Sequence, residues 1–312
     1  MDLLKGLRFT FTHPMHSHPY NPEVASGQGI VDLAVAAEKA GFDGFGFTDH
    51  PAPSHRWLEN GGHDALDPFV AMSFAAAHTT NLRLIPNILV LPYRNPFVVA
   101  KAAASLDLLS EGRFTLAVGV GYLKKEFTAL GIDFEQRAAL FDESLAAIRA
   151  IWTTDDLRFE GRNFTAGGIT AHPRPATEPY PPIWIGGNTA AARRRVAEHG
   201  DGWCPFQAPA GLAQTARTAA LESLEQLTEG IADLRRRLEA ADRDPYEVDI
   251  AFSPFLPGGP GDDDFNADAY LDELQKLAET GVTWVQVIIP GDSMSHALEA
   301  VDRFRSTVIE QL

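Results

Sequence analysis

The chain has 312 residues, 26 Lys+Arg against 42 Asp+Glu for a net charge of −16, 45% hydrophobic residues and 10% aromatic. This composition excludes a disordered tail, a collagen-like repeat and a disulfide scaffold. The negative charge opposes nucleic acid and anionic membranes as partners, since both are polyanions repelled at long range.

Taken in chain order, short apolar runs rich in Phe, Val and Ile alternate with longer segments of helical period, the pattern of parallel β/α units. Eight strands are expected, over residues 7–11, 45–47, 82–90, 114–118, 182–185, 202–204, 248–252 and 284–288. Asn95-Pro96 supplies an N-cap and a first-turn proline for a helix closed by Gly112, with an apolar stripe read as Val98, Ala102, Leu106 and Leu109. Phe141, Leu145, Ile148 and Trp152 form a second stripe. Leu221, Leu224, Leu227, Ile231, Leu234 and Leu238 form a third, and Ala297, Val301, Phe304 and Val308 a last. Each is expected to pack against the sheet. Two segments break the rhythm: 153–181, too long for an ordinary connection, and the Pro/Gly-rich acidic stretch 253–266. Both are candidate rims or lids, because the loops after the strands of a β/α barrel carry the site. With no internal repeat, residues 1–312 read as one domain. No apolar run approaches the ~18 residues that cross a bilayer, the N-terminus has no signal-peptide layout, and the lone Cys204 forbids an intrachain disulfide. A cytoplasmic protein with a small-molecule substrate is expected.

The chemistry-bearing positions cluster after the strands. Asp49 and His50 follow the second strand, where a histidine can exchange a proton near neutral pH or bond a cofactor heteroatom, with Asp49 placed to orient it. Gly119 and Gly121 follow the fourth strand and allow close backbone approach, without the spacing of a dinucleotide fingerprint. Gly186, Gly187 and Asn188 lie between the strand PPIWI and a helix beginning TAAARRR, a place for N–H groups to cradle phosphate. His13, His16 and His18 suggest a metal only weakly, because no later strand ends supply further ligands, so no metal is expected. Cys204 reads as packing, and no nucleophile elbow is present.

The run from Leu91 to Trp152, LPYRNPFVVAKAAASLDLLSEGRFTLAVGVGYLKKEF onward, resembles the bacterial luciferase-like flavin and deazaflavin oxidoreductases. The blocks AEKAGFDGFGFTDH and PPIWIGGNTAAARRRVAEHGDGWCP are similar to that family's second-strand and phosphate-loop signatures. The resemblance implies a (β/α)8 TIM barrel with an excursion between strands 4 and 5. It further implies a cofactor ring across the barrel mouth, backed by a non-prolyl cis peptide at Asn87-Ile88. Phosphate would sit on Gly186, Gly187 and Asn188, His50 would meet the polar edge of the ring as the catalytic residue, and Gly119 and Gly121 would admit the ring. Asp49 joins this cofactor set, with His13 and Tyr122 as substrate contacts.

The similarity is greatest to the short F420-dependent branch, which implies hydride transfer between the deazaflavin C5 of coenzyme F420 and a small organic substrate. The alternative is an FMN-dependent monooxygenase that consumes O2. F420 continues beyond its phosphate into an anionic tail, and Arg193, Arg194, Arg195, Lys124 and Lys125 are nearby cations in an acidic chain. Members acting on sugar phosphates carry Glu where Tyr122 stands, so a sugar phosphate is in doubt; Tyr122 and Glu126, one helical turn on, are left as candidate donors. A homodimer is also implied by the family.

Overall fold

The computed structural model describes residues 3–312. A 3-10 turn, Leu3–Gly6, leads into β1 (Arg8–Thr12), α1 (Gly27–Ala40), β2 (Gly44–Gly46), α2 (His55–Leu58), α3 (Pro68–His78), β3 (Arg83–Leu84) and β4 (Leu89–Val90). There follow α4 (Pro96–Leu109), β5 (Leu116–Gly119), α5 (Lys124–Ala129), α6 (Arg137–Thr153), β6 (Leu157–Glu160) and β7 (Thr165–Ile169). The rest comprises β8 (Ile183–Gly186), α7 (Ala190–His199), β9 (Gly202–Cys204), α8 (Ala210–Ala216), α9 (Leu224–Ala240), β10 (Asp249–Phe252), α10 (Ala267–Thr280), β11 (Trp284–Val287) and α11 (Met294–Thr307).

The nine-stranded sheet runs β3-β2-β1-β11-β10-β9-β8-β5-β4. Its two ends, β3 and β4, are halves of one barrel strand interrupted over 85–88. β3 pairs in parallel with β2 through Gly44↔Arg83, β4 pairs in parallel with β5 through Val90↔Gly119, and a bridge Leu84↔Phe114 ties the halves together. The result is an eight-staved (β/α)8 barrel. The antiparallel hairpin β6-β7 is the excursion between the fourth and fifth staves.

Side-chain alternation along the strands sorts two cores. Outward residues such as Phe9, Phe11, Phe45, Ile183 and Ile185 pack beneath the helices with Phe304 and Leu145. Inside the barrel, Ile85, Ala117, Trp184, Cys204, Ala251 and Trp284 form a separate cluster, with the two indoles edge to face at 5.2 Å. Arg8 lies over Trp284 and pairs with Asp249 at the barrel floor. This plug fills the lower barrel, and the cavity lies above it at the C-terminal mouth. Cys204 belongs to it, and burial pushes its thiol up, away from the nucleophilic thiolate.

The helices start on side-chain caps. Asp67 accepts from the N–H groups of Phe69 and Val70, and Asn95 accepts from that of Phe97, each followed by a first-turn proline. The stripe expected on α4 is out of phase: Val99, Ala100, Ala103, Ala104 and Leu106 are buried, whereas Val98 is 64% and Leu109 80% exposed. The segment 253–266 is no lid. Phe255, Leu256 and Phe265 pack on the core, and Arg303 and His296 of α11 hold its backbone carbonyls. Among the described residues, no helix is long and apolar enough to cross a membrane.

Candidate active site

A cavity of about 410 Å³ opens at the C-terminal mouth of the barrel. Its inner wall is built from the strand ends around Ile88, Gly119 and Gly186, and its roof from Pro205, Phe206, Leu212 and the residues after α8. Neither 153–181 nor 253–266 contributes to it. The Asn87-Ile88 peptide is cis, where the resemblance placed it. Asn87 is held on both sides, donating to Thr12 Oγ1 at 2.8 Å and accepting from Gln286. Ile88 Cδ1 then inserts between two strands: a Cβ on Gly119 would lie 2.5 Å from it, and one on Gly186 only 2.4 Å away. A side chain at Gly119 or Gly186 would therefore have to displace the Ile88 terminus, before any ligand enters. Gly121 has φ +74°, and a Cβ there would lie 2.5 Å from Val90 Cγ1, so both its backbone and its missing side chain matter.

At one end of the cavity stands His50. Its side chain is 10% exposed, and its Nδ1 is 3.2 Å from Oε2 of Glu126, a carboxylate with no exposed surface. Trp57 lies against the imidazole at 4.7 Å, with His63 at 5.0 Å and Tyr122 at 6.3 Å completing an aromatic surround. Burial lowers the pKa of His63, and the neighbouring His50 adds repulsion. Burial and the Glu126 charge push the Tyr122 hydroxyl up, so it remains a donor at neutral pH. Asp49 borders the cavity, but its carboxylate is committed to the fold. It accepts from the Val90 N–H at 2.8 Å and pairs with Arg94 at 2.6 and 2.9 Å, fixing β4 against the end of β2. It makes no hydrogen bond to His50.

At the other end α7 begins. Gly187, at φ +112°, turns the chain, but its N–H donates to the Cys204 carbonyl, and the Asn188 N–H donates to Thr218 Oγ1. The Asn188 side chain is buried and ties together Phe206 and Ala219. Of the expected cradle, Gly186 and Gly187 line the cavity, but the Gly187 and Asn188 N–H groups are partnered within the chain, and the donors left without intrahelical partners belong to the first turn of α7, beside the Thr189 cap. Arg193 pairs with Asp233 at 2.7 Å, Arg194 with Glu198 at 2.5 Å and Arg195 with Asp142 at 2.5 Å, so none of that run is a free cation. The free charge comes instead from Arg217, in the left-handed C-cap of α8, and from Arg137. Both guanidinium groups lie over the Phe134 ring, at 4.6 and 4.0 Å. Among the described residues neither forms an ion pair with a carboxylate, and burial, with the neighbouring Arg217 charge, lowers the pKa of Arg137.

His13 is not a substrate contact. It is 2% exposed, and its Nε2 donates to the Val24 carbonyl at 2.8 Å, outside the cavity. Nor do the three N-terminal histidines converge, since His18 turns to Asp64 at 2.9 Å. Its ring, with His55 and Glu59, forms the group of metal-capable side chains found among the described residues, two of them exposed and all outside the cavity. Sequence reading missed Tyr93, Trp57, His63, Arg137, Arg217 and the roof at 205–218. Only the His50 end had a signal, a Glu one turn beyond Tyr122.

The fold and site define a (β/α)8 barrel whose C-terminal mouth holds a cavity bordered at one end by the start of α7 and at the other by His50. The profile of the Luciferase-like monooxygenase family matches residues 7–299, and the chain belongs to that family. An F420-dependent glucose-6-phosphate dehydrogenase of Gordonia bronchialis is 30% identical over 232 residues, covering 72% of this chain and 64% of that protein. The matching enzyme of Nakamurella multipartita is 34% identical, over 68% of this chain and 60% of its own length. The alignment thus spans less than two thirds of these curated relatives. Among solved structures, a monooxygenase from Streptomyces bottropensis superposes with TM-score 0.76 at 22% identity, covering 98% of this chain and 99% of its own. An F420-dependent secondary alcohol dehydrogenase superposes at 0.75 and 17% identity, covering 97% and 98%. These structural likenesses concern the fold.

Proposed function

We propose that this chain is an F420-dependent oxidoreductase transferring hydride between the deazaflavin C5 and a small organic substrate. The observation that carries the reading is Arg217, which lines the cavity with Thr189 and Ala192 at the start of α7, has no ion-pair partner among the described residues and shares the Phe134 ring with Arg137, in a chain of net charge −16. Two adjacent guanidinium groups without carboxylates suit an anionic tail running past a phosphate, which F420 has and FMN lacks. The rest of the cavity fits the same group. The first turn of α7 and Thr218 would hold the phosphate, Ile88 and Val90 offer an apolar wall for a flat ring, and His50 stands at the far edge. When bound, F420 supplies the hydride chemistry. The chain positions the substrate, excludes water with the 205–218 roof, and takes or returns a proton at His50.

The substrate is read as unphosphorylated. Arg195 and Arg217 are the only cations lining the cavity among the described residues, and both lie on the phosphate side. Around His50 the lining is His63 and Tyr122, with nothing to neutralise a second phosphate. This separates the chain from the sugar-phosphate enzymes among its relatives. A homodimer in the cytoplasm is the accompanying reading. Val70 and Phe74 on α3, 62% and 46% exposed, and Val98 and Leu109 on α4 provide an apolar surface for a second copy. Light scattering should give twice the chain mass of 33.9 kDa.

Anaerobic titration of the cofactor-free chain with F420 and with FMN, followed by absorbance and fluorescence, tests the main reading. Micromolar F420 binding with much weaker FMN binding is expected. The reverse preference would replace it with an FMN-dependent monooxygenase.

A further inference from the structure

Glu126 is the most enclosed charged group near the cavity, and no step assigned so far uses it. Its carboxylate, fully buried on α5, accepts from three donors: Tyr93 Oη at 2.8 Å, the Ala52 N–H at 3.1 Å and His50 Nδ1 at 3.2 Å. Among the described residues its ion-pair partner is His50 alone, with no lysine or arginine in reach. A carboxylate taken out of water without a cation is costly, and a position needing only to pack would be filled more stably by an apolar side chain. Tyr93 and Ala52 satisfy hydrogen bonds but bring no charge. The group that can bring one is the imidazole.

We propose that Glu126 is the positioning residue of this site. An ionised carboxylate can only accept, so His50 must present Nδ1–H to it, which leaves Nε2 as the basic nitrogen on the other side of the ring. When Nε2 takes a proton from a substrate hydroxyl, that proton stays on the imidazole and the positive charge is balanced by Glu126, which does not itself take it. In the reverse direction Nε2 returns the proton. The other groups facing the ring are His63, Trp57 and Tyr122, with Tyr93 behind the carboxylate. His63 is kept neutral by burial, and both tyrosine hydroxyls are pushed up, so Glu126 supplies the fixed charge. The inference rests on His50 handling a proton in the reaction proposed above.

The test is Glu126→Gln, read by 15N NMR of the histidine side chains and by kinetics. Glutamine keeps the shape, and the Ala52 N–H, which can only donate, holds its amide oxygen at the Oε1 place; the amide nitrogen then takes the Oε2 place that Tyr93 Oη and His50 Nδ1 share, donating to both and forcing the imidazole proton to Nε2. The expected result is an Nδ1–H tautomer of His50 in the unaltered chain and Nε2–H in the variant. Turnover should fall about 100-fold or more, with F420 affinity within about threefold. An unchanged tautomer in the variant would overturn the role of Glu126 whatever the cofactor proves to be. A switched tautomer with full turnover would instead overturn the role of His50 in the reaction, and the positioning role with it. Should the variant fail to fold, the unaltered chain decides: an Nε2–H tautomer there contradicts the proposal.

Discussion

The segments that follow β1 and β2, adjoining staves of the barrel, each carry a histidine, His13 directly after its strand and His50 a few residues beyond its own, and the fold treats them in opposite ways. His13 is enclosed against Phe45 and Phe47, with ring centroids 5.7 and 5.0 Å apart. Its Nε2–H is satisfied by Val24, and its Nδ1 has no hydrogen-bond partner among the described residues. Burial drives its pKa from 6.5 to about 4, which keeps it neutral. His50 also sits among aromatic rings, yet it meets a buried carboxylate on one side and the cavity on the other. A strand-end position therefore does not make a histidine chemical. What does is a charge partner on one nitrogen and open space at the other.

The comparison breaks most visibly through His50. Replacing it with alanine is expected to lower turnover about 10²- to 10⁴-fold while leaving F420 affinity within about tenfold, because the lost group acts on charge that moves during the reaction. Steady-state rates beside a binding titration check this, and equal turnover in His50→Ala would make the two histidines equivalent after all.

His13 should instead reveal itself in stability. Between about pH 4 and 6.5 the unfolded chain protonates this side chain and the folded one does not, so unfolding is favoured as the pH falls through that window. Across the full window the group accounts for about 3 kcal/mol of lost stability. His13→Gln keeps a donor for the Val24 carbonyl and removes the titration. Urea unfolding over a pH series should show a flatter acid limb for the variant, and identical slopes would mean that His13 is not held neutral.

The same contrast explains how far the sequence could be read. All eight staves were legible, because β/α units carry their period and caps locally; 202–204 matches β9 residue for residue. The break in the third stave was not visible in its apolar run, since LIPNILV reads as continuous strand while the structure divides it into β3 and β4. The α4 stripe was misphased because Val98 and Leu109 are apolar and exposed, a condition that periodicity cannot distinguish from burial. At the site, residue type was legible and pairing was not. Arg193 to Arg195 offered cations, but Asp233, Glu198 and Asp142 neutralise them, two of those acids lying some 40 and 53 positions away. The roof at 205–218 had no periodic or motif signal, so its arginine stayed invisible.

Glycine shows the distinction in steric form. A methyl at Gly186 would meet Ile88 Cδ1 at 2.4 Å, so the position is filled from within the fold. Gly186→Ala should lower stability by about 1–3 kcal/mol through overpacking, and cofactor affinity should fall with it as Ile88 is displaced into the cavity. Thermal unfolding together with titration checks both. Lost affinity at unchanged stability would instead mark Gly186 as a ligand-approach glycine.

Among the arginines, Arg195 borders the cavity but is bound to Asp142, whereas Arg217 borders it unpaired. Only the second has charge left for a ligand. Arg217→Gln should weaken F420 about three- to tenfold, near 1 kcal/mol for one partly exposed charge, and leave FMN affinity unchanged if Arg217 serves the tail beyond the phosphate, as the proposed function requires. The difference between the two cofactors should shrink as salt is raised, since an exposed pair is screened within a Debye length. An equal loss for both would place Arg217 on the shared phosphate, and the preference for F420 would then have to come from the ring end, where Tyr122 and His63 surround His50.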